Sequence, residues 1–171
     1  MLTLSELGNR QLAWLSGGGL REAFVLRADG EVIGGLQFET ESRAVGELDG
    51  RAWILECHEC KLHQNVLVHL QSTNELVATF TQKWTGGGIV TFESGVRYCW
   101  NPTHVWSTSH CFRREGQAAT VCMVQGAPSR KGSKVLICAD ASRLPETPVL
   151  ILLGGFLEVL LFERLATVIN W

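Results

Sequence analysis

Short apolar runs, each closed by a turn signal, occupy residues 20–140. In Ile89-Val90-Thr91-Phe92 and in Val96-Arg97-Tyr98-Cys99-Trp100, apolar side chains recur at every second position. That period belongs to a strand with one buried face. The same reading covers Ala23–Arg27, Glu31–Phe38, Arg51–Cys57, Val66–Leu70, Leu76–Phe80 and Gly88–Phe92. It also covers His104–Phe112, Gln117–Val124 and Lys134–Ala139. Ala28-Asp29-Gly30 and Asp49-Gly50 predict tight hairpins, because a type I′ turn needs positive φ at both central residues. Ser72-Thr73-Asn74 and Glu93-Ser94-Gly95 mark further turns. Turns spaced about ten residues apart predict an antiparallel meander of about nine or ten strands. Met1 to Leu15 reads as a short helix or a first strand.

The pattern changes at Pro148. Of the 21 residues Val149–Ile169, 15 are apolar, the exceptions being Gly154, Gly155, Glu158, Glu163, Arg164 and Thr167. A helix of that length spans roughly 30 Å, and one apolar on nearly every face must be surrounded, by lipid or by protein. Three charges favour protein, since each costs roughly 2.5–3.5 kcal/mol at the centre of a bilayer. Glu158, Glu163 and Arg164 are expected where the domain opens to water. Thr147 suits the N-cap and Pro148 the first turn. Gly154-Gly155 predicts either a close backbone neighbour or a kink. A sheet with one apolar face and a helix apolar all round satisfy each other if the sheet closes around the helix. Closure also removes exposed strand edges.

A length of 171 residues fits one domain with a sizeable core. We divide it into an N-terminal segment at 1–20, strands at 21–140 and the helix at 147–170. The net charge of −2 argues against a nucleic-acid partner. Charge is nevertheless uneven. Residues 1–60 hold five basic and ten acidic side chains, whereas 111–143 hold six basic and two acidic. The basic ones are Arg113, Arg114, Arg130, Lys131, Lys134 and Arg143. Arg113, Arg114, Arg130, Lys131 and Lys134 are the candidate site for an anion or a lipid headgroup. No positive start followed by an apolar core opens the chain, so a cytoplasmic location is expected. The six cysteines are then expected as thiols.

The order of these features resembles the tubby C-terminal-domain-like superfamily, with its LURP-one-related and phospholipid-scramblase relatives. The resemblance rests on three stretches. The first is the hairpin Phe24-Val25-Leu26-Arg27-Ala28-Asp29-Gly30-Glu31-Val32-Ile33-Gly34. The second is Glu93-Ser94-Gly95-Val96-Arg97-Tyr98-Cys99-Trp100, and the third is the Pro-flanked terminal helix. It implies a closed antiparallel barrel of about twelve strands around a central apolar helix. It further implies a non-catalytic binding or scaffold domain for anionic phospholipid or a protein partner. A membrane-anchored, scramblase-like protein is the alternative within that resemblance.

Cys57-His58-Glu59-Cys60-Lys61-Leu62-His63 carries the strongest chemical signal. C-x2-C followed by His resembles part of a zinc site, and a small metal-dependent enzyme using Cys57, Cys60 and His63 is the competing reading. A fourth ligand is missing, and in a strand Cys57 and Cys60 would point to opposite faces. We therefore expect no metal and no cofactor. His58-Glu59 with His63 misses the H-E-x-x-H spacing by one residue, and no G-x-S-x-G occurs. Gly17-Gly18-Gly19 and Gly86-Gly87-Gly88 continue into no phosphate-binding motif and read as turns. Trp14, Trp53, Trp84, Trp100, Trp106 and Trp171 are expected to fill and cap the barrel.

Overall fold

The computed structural model defines residues 3–7, 10–17, 23–60, 63–83, 86–103, 109–125, 133–138 and 140–169, with backbone alone for 59, 60, 63 and 161–169. A short helix α1 (Leu4–Leu7) precedes strands β1 (Leu12–Ser16), β2 (Ala23–Ala28), β3 (Glu31–Thr40) and β4 (Arg43–Leu48). Then come β5 (Arg51–Cys60), β6 (His63–Leu70), β7 (Leu76–Gln82) and β8 (Gly88–Phe92). The last four strands are β9 (Arg97–Pro102), β10 (His110–Arg114), β11 (Thr120–Gln125) and β12 (Ser133–Ile137). A single 3-10 turn (Ala141–Arg143) leads to the helix α2 (Thr147–Ile169).

Every strand pairs antiparallel with its neighbours in sequence, and β1 pairs with β12, so the twelve strands form a closed barrel. The hairpins formed as their sequences predict. Asp29 and Gly30 take φ of 49° and 86°, and Asp49 and Gly50 take 52° and 71°, the mirror-image turn geometry that matches strand twist. Along β2, Phe24, Leu26 and Ala28 are buried while alternate residues are not. Trp53, Leu55 and Cys57 do the same on β5. Irregularities at Leu26/Arg27, Phe38/Thr40, Val68/His69 and Phe112/Arg113 add the local bending that closure requires.

Sequence pattern missed β4 and left β1 undecided. The reason at β4 is Gly46, an inward position without an apolar signal. A Cβ there would lie 3.0 Å from Leu152 and 3.2 Å from Leu36. A larger residue would have to push the Leu152 and Leu36 methyl groups aside. In the predicted run His104–Phe112, the strand begins at His110, and 104–108 lie outside the described residues.

Helix α2 runs through the ring and packs on β3, β4, β5 and β11. Leu150, Ile151, Leu153 and Phe156 are fully buried. Phe156 stacks on Phe38 with ring centres 5.4 Å apart. Burying one such side chain is worth about 1.5–3 kcal/mol. Gly154 and Gly155 admit side chains of the wall rather than a neighbouring backbone. A Cβ would lie 2.9 Å from Val124 at Gly154 and 2.8 Å from the Trp14 ring at Gly155. Thr147 does not cap its own helix; its hydroxyl donates to the Ala141 carbonyl. At the base of the barrel, where α2 begins, the Leu4 N–H donates to Asp49 Oδ1 at 2.8 Å. Leu4 and Leu7 are buried there. Trp14, Trp53 and Trp100 fill the interior as expected, while Trp84, Trp106 and Trp171 lie outside the described residues.

Candidate functional site

From Val149 to Leu157 the buried side chains of α2 are apolar, and at Glu158 the helix presents one carboxylate. Gly154 and Glu158 stand one helical turn apart on the same face of α2. Phe112 and His110 are two residues apart on β10 and face the same side of the wall. The wall side chains Val124 and Phe112 fill the hollow at Gly154. One turn on, Glu158 meets His110, with Oε1 2.6 Å from Nδ1. The two side chains are only 6% and 11% exposed. The His110 ring lies flat on Trp100, 4.2 Å between centroids and 9° from parallel. Phe80 closes on Trp100 edge-on, 5.7 Å away. Sequence reasoning placed Glu158 where the domain opens to water; instead it is 5% exposed and paired. Glu163 and Arg164 have side chains outside the described residues.

Burial pushes the Glu158 carboxyl above its ordinary 4.5, and the hydrogen bond and charge of His110 pull it back only in part. A carboxylate on Nδ1 fixes an imidazole's tautomer and orientation, which is how a general base is prepared in many enzymes. Here the ring face is covered by Trp100 and the pair is enclosed between helix and wall. The arrangement ties the helix to the barrel. The barrel interior also holds buried polar atoms without a hydrogen-bond partner among the described residues, including the indole Nε1 of Trp14 and Trp100 and the Ser133 hydroxyl. Trp14 and Ser133 are direct cross-strand partners. Nearer the base, the Tyr98 hydroxyl is likewise unpartnered, and burial raises its pKa.

The candidate basic residues do not gather at one point. Arg113 is opposite Thr120 on β11, while Lys134 is opposite Gln125. Those positions are five residues apart along β11, roughly 16 Å. Arg114 sits at the base, registered with Tyr98. All three are exposed, and among the described residues none forms an ion pair. Arg130 and Lys131 lie outside the described residues. Arg97 is bound to Glu115 at 3.2 Å. In ring order β4 and β10 lie six strands apart, so the basic and acidic stretches of sequence become opposite walls.

Strand β5 runs unbroken through Cys57 and Cys60, and Cys57 is buried in the core. Cys60 and His63 are cross-strand partners at the β5–β6 turn, with side chains outside the described residues. Among the described residues no three His, Cys, Asp or Glu side chains are grouped to hold a metal ion. Burial pushes the Cys122 thiol up to about 12, well away from reactivity. The His110–Glu158 pair was the functional feature hardest to foresee. A lone carboxylate in an apolar helix demands a buried partner, but only register selects one histidine among five.

No family model, curated protein or solved structure matches the chain.

Proposed function

We propose that this protein is a non-catalytic, cytoplasmic binding domain of the tubby-like type. The outer wall of β10–β12 meets an anionic phospholipid surface. One observation carries the reading: α2 and the inward side chains fill the barrel, leaving recognition to the outside. A closed ring of twelve strands around an apolar helix supports the tubby-like assignment. Arg113, Arg114 and Lys134 supply exposed positive charge on the proposed face. Each cation that reaches the lipid surface contributes about 1 kcal/mol, a binding that salt readily weakens. Among the described residues no helix is long and apolar enough to cross a membrane, which favours a peripheral contact over an inserted anchor.

Flotation with phosphatidylserine-containing and pure phosphatidylcholine vesicles tests this. The protein should float with the anionic vesicles at low salt, less so at 0.5 M salt, and not with the neutral ones. The double variant Arg113→Glu/Lys134→Glu should stay at the bottom. Absence of flotation at low salt would remove the lipid and leave a protein as the partner.

A further inference from the structure

Strands β10, β11, β12, β1 and β2 are neighbours in the ring. Together they carry four cations, Arg113, Arg114, Lys134 and Arg27, and no Asp or Glu. Arg27 stands outside the basic stretch of sequence, yet register brings it to Lys134 across the seam that closes the barrel. Gln125, Lys134, Ala13, Arg27 and Val32 form one cross-strand row on β11, β12, β1, β2 and β3. Lys134, Ala13 and Arg27 each lie between two buried neighbours on their own strand, so all three face outward. Lys134 and Arg27 are two strands apart, roughly 10 Å between backbones, with the short Ala13 side chain between them. Two long cationic side chains flanking a methyl group form a cradle that one anion can bridge.

Both cations are exposed and, among the described residues, in no ion pair. The carboxylates at the margins are engaged or peripheral. Asp29 is bound to Arg10 at 3.4 Å and Glu115 to Arg97 at 3.2 Å, while Glu31 and Asp140 stand at the base. Like charges held together without a counter-charge favour an anion as the occupant. The apolar surroundings favour one source of it. Val32 and Leu136, at 48% and 38% exposure, are two of the three large apolar side chains exposed among the described residues. Val32 is registered on Arg27, and Leu136 is two residues from Lys134 on the same face. A free phosphate gives those side chains nothing to bury against, whereas a bilayer surface offers phosphate and acyl chains together. We infer that Lys134 and Arg27 clasp one lipid phosphate over Ala13, with Val32 and Leu136 reaching the acyl boundary beside it. The inference rests on the lipid reading of the outer wall and moves its centre from β10–β12 to the seam. A convex wall meets a flat bilayer along few strands, and β12, β1 and β2 are adjacent.

The test is flotation of the full chain and its variants with phosphatidylserine-containing vesicles, each variant checked for an unchanged thermal transition. Arg27→Glu should weaken binding at low salt by about tenfold or more, and Arg27→Lys by much less. Arg113→Glu, on β10, should cost less than Arg27→Glu. Val32→Ser/Leu136→Ser should lower the fraction that stays bound at 0.5 M salt and leave low-salt flotation near the parent's. Suppose the parent floats and Arg113→Glu/Lys134→Glu does not, but Arg27→Glu floats like the parent. The seam site is then overturned and the outer-wall reading stands. A parent that does not float at low salt overturns both. High-salt binding unmoved by Val32→Ser/Leu136→Ser overturns the acyl contact. Saturable shifts of the Ala13 and Arg27 amides with inorganic phosphate, without vesicle binding, would make this a free-phosphate site and overturn the lipid assignment.

Discussion

The stretch of α2 from Val149 to Leu157 and the turn that begins at Glu158 are enclosed by the same ring of strands but held in different ways. The first is gripped by shape alone. Leu152 fits over Gly46, Trp14 over Gly155, and Phe156 on Phe38. The second adds to its buried Val159 and Leu160 one bond of 2.6 Å, from Glu158 to His110. Apolar packing is forgiving of chemistry and strict about volume. A buried polar pair is the reverse: strict about its partner, and often of little net value against apolar side chains of similar size. The wall therefore encloses the helix over its first part and registers it at one point in the second.

The comparison breaks most completely at Leu152. Leu152→Asp puts an unpaired charge on the apolar stretch and should abolish folding, with loss of the cooperative thermal transition; Leu160→Asp should do the same. A soluble Leu152→Asp variant with unchanged melting would mean the helix does not fill the barrel. His110→Ala comes next. It strands the Glu158 carboxyl and should cost about 3–5 kcal/mol in urea unfolding. The double change His110→Leu/Glu158→Leu should recover most of that, ending within about 1.5 kcal/mol of the parent. If the double variant is as weak as the single, the pair contributes much more than registration. Gly155→Ala is smaller. In a free helix it would stabilise by about 1 kcal/mol. Against the Trp14 ring it should destabilise by about 1–3 kcal/mol, with the loss reversed when Trp14→Phe opens the contact.

The smallest effect is in pH. The folded Glu158 carboxyl holds its proton more tightly than an unfolded one, since burial raises it from 4.5. Its contribution is therefore complete below that value and is lost as pH rises through the raised folded value. Relative to Glu158→Gln, the parent should lose urea stability as pH climbs above 4.5. A gap between the two that stays constant with pH would show that the carboxyl is not raised.

How much of this was legible depended on whether a residue speaks through pattern or through register. The terminal helix, the Asp-Gly hairpins and the inward tryptophans are local signals, and they emerged as read. Strand β4 was silent because an inward position is taken by Gly46, which carries no apolar side chain to mark it. Gly34 passed as the end of a hairpin motif and Gly35 as part of a strand run. The basic residues looked like one cluster because they are close in sequence. Strand geometry then separates Arg113 from Lys134 along β11. Glu158 drew notice as a charge in an apolar run, but its expected place was wrong. In water it would need no partner; between helix and wall it has His110.

Among the described residues, the seam between the first and last strands is the thinnest in the ring, with Leu12, Ala13 and Trp14 paired across it to Val135, Lys134 and Ser133. Trp14 also rests on Gly155, a residue that follows all twelve strands in chain order. A cylinder zipped shut too early would shut out its own filling, which points to a curved, open sheet as the late folding species, with this join made last. Pulse-labelling the backbone during refolding should find the Leu12–Trp14 amides still exchanging after those of β5 and β6 are protected; simultaneous protection would mean that wrapping and filling are a single event.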